Sequence, residues 1–476
     1  MEIHSEIINF LNKGIFIYAF LNAIFYLTIA LLAIISNTEY KIKNSYTDYT
    51  QALISDETPS ISIIAPAYNE SLSICENIRS LLAIKYKTYE VIIVNDGSKD
   101  KTLELAIEMY DLENIGTENY KELVTTKKLR GIYKSKKLEY SKLTVLDKEN
   151  GGKADALNVG LNYSSKELVA CIDVDCVLLE DSMTKMVKPF LDATTKKVIA
   201  SGGFVRIAND CKIENGKLIQ VNLPTNKWAR FQTLEYLRAF LLSRMAWGRI
   251  NGLMLISGAF GLFDKDIAIK CGGYDHSTVG EDMELVVRMR KYMHQINEPY
   301  IVDFIPDPLC WTEAPEDLKT LIRQRNRWTR GTIETLWFHK DLLFNPKYKT
   351  LGLISAPYWM IFEWLPPIVE FLGVSYFIFL VIFSDAVNWY YAFNLFLAVY
   401  LFSIVYSTFA VIMEIVTFHQ YTKYSDCLKL ILSGMLEPFI FHPFMTWAAV
   451  RGNYDKLTKK KSTWGAQIRK GFAKKT

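Results

Sequence analysis

Most signatures that assign a chain to a common class are missing from these 476 residues. No G-x-G-x-x-G follows a strand, so the dinucleotide fingerprint is absent. The seven cysteines (75, 171, 176, 211, 271, 310 and 427) include no Cys-x-x-Cys pair, and most lie in apolar runs. They fit packing in a reducing compartment better than a disulfide framework or a zinc site. Six scattered histidines supply no metal-ligand pair, and no Ser–His or Cys–His combination suggests a nucleophile. The net charge is only +4, without a Lys/Arg stripe interleaved with stacking aromatics, which sets nucleic acid aside as a partner. Internal repeats and low-complexity segments are also lacking.

What is abundant is apolar: half the chain is hydrophobic and 13% aromatic, unevenly distributed. Residues 14–35 are 22 positions without a charge, enough to cross a bilayer core. The run is too long for a signal-peptide core, follows Glu2 and Glu6 instead of a basic region, and lacks a small-x-small cleavage site. It reads as a permanent transmembrane helix. Lys41 and Lys43 follow it, so the positive-inside rule puts the next region in the cytosol. Further apolar segments cover residues 353–383, 387–413 and 428–450. The third is interrupted by Gly434, Pro438 and Pro443 and contains Glu437 and His442, which suits an interfacial helix better than a spanning one. A basic tail, 451–476, favours the cytosol. Three crossings are expected, with the N-terminus outside and Glu363 and Glu370 turned toward protein or a water-lined path. The chain divides into a membrane helix (1–43), a polar linker (44–57), an α/β domain (58–340) and membrane-associated helices with a tail (341–476).

The α/β pattern begins with a strand from Ser60 that ends in Pro66-Ala67-Tyr68-Asn69-Glu70, followed by a helix over 71–84. A second strand, 90–95, runs into Asp96-Gly97. Short-looped βαβ units of this kind start a Rossmann-like parallel sheet. Asp96, at a strand end, is a candidate for a nucleobase or ribose contact, and equally a plain turn residue. Residues 110–141 are polar and Lys-rich and read as a surface excursion. A third strand, 142–146, leads to Gly151-Gly152-Lys153, where backbone N–H groups and an ammonium at a helix start suit a phosphate. Then come Asp173 and Asp175, at the end of an apolar run from Val169. Both carboxylates emerge where open α/β sheets bind ligands, with no Lys or Arg nearby in sequence. They fit either a solvated turn or a hard cation, Mg²⁺ or Mn²⁺, that also holds phosphates.

Downstream, Glu214-Asn215-Gly216 predicts a hairpin between 197–207 and 217–222, and 228–247 a helix. Residues 253–263 read as a strand interrupted by Ser257-Gly258-Ala259, where glycine permits close approach of a ligand. Val279-Gly280-Glu281-Asp282 precedes an amphipathic helix over 283–293, and two acids at a helix start serve as N-terminal capping and dipole complement. A helix over 317–338 places Gln324, Arg327 and Trp328 on one face, suited to a membrane surface, or to a diphosphate and a stacked sugar.

Taken in order, Asn69-Glu70, Asp96, Asp173-x-Asp175, Glu281-Asp282 and Gln324-x-x-Arg327-Trp328 resemble the motifs of processive family-2 membrane glycosyltransferases, the cellulose, chitin, hyaluronan and poly-N-acetylglucosamine synthases. The resemblance covers about residues 58–340 and the helices beyond. It implies a GT-A fold, Rossmann-like and mixed α/β, combined with transmembrane and interfacial helices. It also implies inverting transfer from a nucleotide-diphospho-sugar, with a UDP-sugar the expected donor, to a polysaccharide acceptor at the cytosolic face of the cell membrane. Asn69, Glu70, Asp96, Lys153, Asp173, Gln324 and Arg327 would hold the donor, Asp175 the metal, and Asp282 would be the general base. Trp328, Ser257, Gly258 and Glu281 would face the acceptor. Trp464 and Arg469, in Trp464-Gly-Ala-Gln-Ile-Arg469, resemble a gating loop over the nucleotide. Gly280 stands where the family has Thr. The rival readings are single-sugar transfer to a lipid-linked acceptor and, in another class, an inactive membrane scaffold or carbohydrate-binding subunit. With so few helices, an export or regulatory partner protein is a further expectation.

Overall fold

The computed structural model describes residues 2–47, 49, 57–383 and 387–460. The α/β domain is built on β1 (Ile61–Ala67), β2 (Tyr89–Asn95), β3 (Leu112–Asn114), β4 (Leu129–Ser135), β5 (Leu143–Lys148), β6 (Leu168–Ile172), β7 (Val177–Leu178), β8 (Lys197–Ile207), β9 (Lys212–Glu214), β10 (Lys217–Gln220), β11 (Phe260–Asp264) and β12 (Tyr300–Thr312). Ten of these form one sheet in the order β3-β4-β5-β2-β1-β6-β11-β8-β12-β7. The segment β5-β2-β1-β6 is parallel. Its strands read as continuous apolar runs because helices cover both faces; Ile61, Ile63, Ile64, Val91, Val169 and Ile172 are fully buried.

The sheet changes direction at β11, which pairs antiparallel with β6, Phe260 opposite Ile172. Ser257-Gly258-Ala259 therefore arrives beside the C-terminal end of β6, and Asp173 N donates to Ala259 O at 3.4 Å. The expected strand over 253–263 is confined to Phe260–Asp264. Upstream, Leu253, Met254 and Ile256 are buried without a ladder, and the Arg290 guanidinium takes the carbonyls of Asn251 and Leu253 instead. Residues 110–141 are not merely an excursion, since β3 and β4 extend the sheet antiparallel from β5. Only Gly131 and Ile132 of β4 are buried, so this strand, second from the sheet edge, carries almost no apolar signal. The hairpin forms between β9 and β10 and not from β8; Asn215 and Gly216 both have positive φ, as a tight hairpin turn requires.

The helices that position the site are α1 (Glu2–Ser45), α2 (Lys153–Tyr163), α3 (Glu281–Gln295), α4 (Leu318–Phe338), α5 (Pro366–Phe383), α6 (Trp389–Thr417), α7 (Tyr424–Ile440) and α8 (His442–Leu457). Among the described residues three helices are long and apolar enough to cross a membrane: Asn12–Ser45, Leu351–Phe383 and Trp389–Thr417. Their outer faces expose Phe16, Phe20, Leu31, Ile382, Phe396 and Val405, which suits contact with lipid. The segment around Pro438 and Pro443 becomes α7 and α8, bent by 50°.

Buried polar contacts dock the α/β domain on these helices. Arg206 of β8 and Glu414 of α6 form a two-pronged ion pair, both essentially inaccessible to solvent. Arg238, in the helical run that begins at Lys227, pairs with Glu437 of α7 and donates to Ser407 Oγ of α6 at 2.7 Å. Tyr40 of α1 reaches Asp307 of β12, and Asn37 donates to Leu241 O at 3.0 Å.

Candidate active site

The C-terminal edge of the parallel strands is organised by a carboxylate turned into the fold. Asp96, just past β2, is buried. Its Oδ1 accepts from Lys148 Nζ at 2.6 Å and Gly151 N at 2.9 Å, and its Oδ2 from Gly152 N at 2.8 Å and Asn150 Nδ2 at 3.1 Å. A carboxylate has about four lone-pair sites, and all are engaged. Burial pushes the carboxyl above its usual range against the pull of Lys148 and the two glycine N–H groups. The glycine N–H groups expected at a phosphate thus hold Asp96, because an anion within the fold reaches them first. Gly152, at φ +90°, permits the turn into α2.

That turn delivers Lys153 to the site. Its ammonium contacts Asp173, lies 3.7 Å from Glu281 Oε1 and donates to Gly258 O at 3.3 Å. Burial opposes the charge, yet Asp173 and Glu281 hold the ammonium above its ordinary pKa. Asp173 therefore finds its counter-charge in a lysine brought from 20 positions upstream, where the local sequence offered none. Glu281 is buried at the start of α3; burial and neighbouring Asp282 push its carboxyl up, while Lys153 and Arg327 pull it down. Asp282 Oδ2 accepts from Gly258 N at 2.9 Å, and Oδ1 from Met283 N at 2.8 Å. Gly258 is the meeting point. A Cβ there would lie 3.0 Å from Lys153 Nζ and 3.3 Å from Asp282 Oδ2.

Helix α4 closes the other side. Asp317 caps it by accepting from Thr320 N at 2.8 Å. Arg327 Nη1 donates to Val279 O at 3.3 Å. Gln324 Oε1 is buried with no hydrogen-bond partner among the described residues, as expected of a group reserved for a ligand. Trp328 is 38% exposed, and the Arg325 guanidinium lies over its ring at 4.1 Å. Arg325 is in turn held by Glu235 at 2.5 Å. One face of the indole is thereby covered and the ring fixed for stacking on the other. Sequence reasoning missed Lys148, Asn150, Glu235 and Arg325; a lysine closing an apolar strand was the available signal for the first.

The remaining expected residues are placed as follows. Asn69 N donates to Ser98 Oγ at 3.0 Å, and Asn69 Oδ1 accepts from Lys99 N at 2.8 Å. Glu70 N donates to Thr102 Oγ1 at 2.8 Å. Both tie the loop after β1 to the loop after β2. Ser257 Oγ accepts from Ala259 N at 3.4 Å within the turn. Asp175 is buried past β6, with Thr312 Oγ1 3.5 Å from its Oδ2. Trp464 and Arg469 lie outside the described residues. Among the described residues no three His, Cys, Asp or Glu side chains gather as a metal cage. A buried Asp175 with Asp173 nearby in the chain nonetheless fits a hard cation held by one or two carboxylates and completed by substrate phosphates.

An open sheet of mixed direction, with an acidic pair past β6 and two acids at the start of α3, is the arrangement expected of a GT-A fold. The chain belongs to glycosyl transferase family group 2, whose model matches residues 168–413, more than half of it. The related model "Glycosyl transferase family 2" matches residues 62–253. Among curated relatives, a poly-beta-1,6-N-acetyl-D-glucosamine synthase of Staphylococcus epidermidis is 29% identical over 332 residues, 70% of this chain and 67% of the relative. The synthase of the same name from Staphylococcus aureus (strain COL) is 28% identical over 321 residues, 67% of this chain and 65% of the relative. The chain thus spans about two thirds of the length of these relatives. Among solved structures, a mannosyltransferase from Pyrobaculum calidifontis, in complex with GDP-Man and Mn²⁺, aligns over 92% of this chain and 100% of that one, with 15% identity and a TM-score of 0.48.

Proposed function

We propose that this glycosyltransferase elongates an exopolysaccharide, transferring N-acetylglucosamine from its UDP-activated form to the end of the growing chain with inversion. The observation that carries the reading is the convergence at Gly258: its N–H holds Asp282, while its carbonyl holds the Lys153 ammonium that contacts Asp173. A proton acceptor and a cation beside the donor-side acid are thus fixed by one residue. The names of the Staphylococcus relatives support the sugar and the polymeric product.

Asp282 takes the proton of the acceptor hydroxyl; the two backbone donors orient its carboxylate, and each oxygen retains a lone pair for that proton. Inversion needs one in-line displacement, so one base suffices and no enzyme nucleophile is required. Lys153 and Arg327 face the donor diphosphate, with Gln324 beside them. Trp328 stacks on the acceptor sugar through the face that Arg325 leaves open. A nucleobase reaching Asp96 displaces Asn150, the longest of its four contacts. Asp175, with Asp173 beside it, would hold Mg²⁺ or Mn²⁺ together with the diphosphate, and such a cation neutralises charge on the leaving group. The three long apolar helices support a multi-pass membrane protein with its catalytic domain cytosolic.

The test is to incubate the purified protein with labelled UDP-N-acetylglucosamine, UDP-glucose and UDP-glucuronic acid, each with Mg²⁺, Mn²⁺ or chelator. Label from UDP-N-acetylglucosamine should enter a large, solvent-insoluble product only with metal. Label confined to an organic-solvent extract would favour transfer to a lipid-linked acceptor instead.

A further inference from the structure

Arg327, Gly331 and Glu334 lie four and three residues apart on α4 and share one helical face. All three residues of that face bear on the short loop ahead of Asp282. Arg327 Nη1 donates to Val279 O at 3.3 Å. Gly331 meets Gly280 backbone to backbone, so closely that a Cβ on either would fall 2.7 Å from the other's Cα. Glu334 Oε2 accepts from Thr278 Oγ1 at 3.0 Å and from Val279 N at 2.9 Å. Glu334 is buried, and its second oxygen, Oε1, accepts from Lys456 Nζ of α8 at 2.7 Å. The same helix is held to α4 by Asn326 Nδ2, which donates to Asp455 Oδ2 at 2.9 Å, and just past its end Arg330 Nη2 donates to Lys460 O at 2.9 Å. At Gly452 a Cβ would meet Asn326 O at 2.9 Å.

We propose that Glu334 is a positioning residue for the transfer step: it fixes Thr278 to Gly280, and so the aim of Asp282, in a register set by Lys456 on helix α8. The inference rests on Asp282 as the base. The chemistry requires a carboxylate. One oxygen must accept from a hydroxyl and an amide on the loop side while the other faces an ammonium on the helix side. An amide has only one acceptor oxygen and turns an N–H donor toward one of these partners. A solvent-exposed pair contributes little, but this acid is buried and two of its three partners lie in the loop that leads to the base. A shift of Lys456 is thereby transmitted through Glu334 to the loop that leads to Asp282.

The test compares Glu334→Gln, Lys456→Met, the double variant and Thr278→Val in the full-length, membrane-reconstituted protein, reading kcat, UDP affinity and thermal unfolding separately. Glu334→Gln should lower kcat about tenfold or more with UDP affinity changed by less than about twofold, the pattern of a group that acts only in the transition state. Thr278→Val, which removes one loop-side donor and leaves Lys456 in place, should lower kcat in the same direction. The double variant should be no slower than Glu334→Gln alone, because both changes cut one connection. Independent, multiplying losses would overturn the coupling to α8. Folded Glu334→Gln and Thr278→Val proteins with wild-type kcat would overturn the positioning role. Activity retained by Asp282→Asn would instead remove the base, a failure separable from that of Glu334.

Discussion

Asp282 receives hydrogen bonds from Gly258 N and Met283 N, contacts that an asparagine side chain can partly reproduce while losing the ability to take a proton. Asp282→Asn should therefore cut transfer by about 10²–10⁴-fold while UDP affinity, read by calorimetry, stays nearly unchanged. Loss of UDP affinity in proportion to turnover would move Asp282 out of the base role. Asp175→Asn should do the reverse: UDP binding weakens, and its stimulation by Mg²⁺ or Mn²⁺ disappears, because one ligand charge beside the diphosphate is gone. At this scale the sequence was informative about residue types and order, and much less so about partners. Asp96 was visible as a strand-end acid, but Lys148, 52 residues away, and the glycines beyond it take its lone pairs. Trp328 was visible as a stacking platform, whereas the Glu235 that anchors its covering arginine is 90 residues from Arg325. Such pairings depend on which strand ends and helix faces come together, and a single sequence does not carry that.

At the scale of elements, the buried strands β1, β2, β5 and β6 and the helices α3 and α4 were legible from apolar runs, periodicity and capping acids. Strands β3 and β4 at the sheet's end were not, because β3 buries only Leu112 and β4 only Gly131 and Ile132. The replacement of a family Thr by Gly280 acquires a reason in the packing of α3 against α4: Gly280 and Gly331 touch through backbone alone. Gly331→Ala tests this. Alanine in a helix interior gains roughly 1 kcal/mol in propensity, but overpacking costs about 1–3 kcal/mol. The obstructing atoms are backbone, so they cannot turn aside. A modest net loss of thermal stability is expected together with a disproportionate fall in kcat, since the displaced loop carries Glu281 and Asp282. A more stable and fully active Gly331→Ala protein would contradict the close packing.

For the whole molecule, composition located the second and third apolar helices within a few residues, the first runs ten residues past the uncharged stretch to Ser45, and the bent pair α7–α8 is together long and apolar enough to count as a fourth span. The docking of the α/β domain was hidden, since Arg206, Arg238 and Asn37 look unremarkable in sequence yet bind Glu414, Glu437 and a backbone carbonyl. The proposed topology puts the end of α8 on the cytosolic side. Lys459 is exposed there, so Lys459→Cys should react with a membrane-impermeant thiol reagent only after cells are opened; labelling in intact cells would reverse the orientation. The central claim is elongation, and the most direct measurement is the size of product during the first turnovers. With reconstituted protein, labelled UDP-N-acetylglucosamine in excess and product sampled from seconds onward, long polymer should appear while most of the donor remains unused. A product that stays at one added sugar per acceptor, however long the reaction runs, would contradict the account.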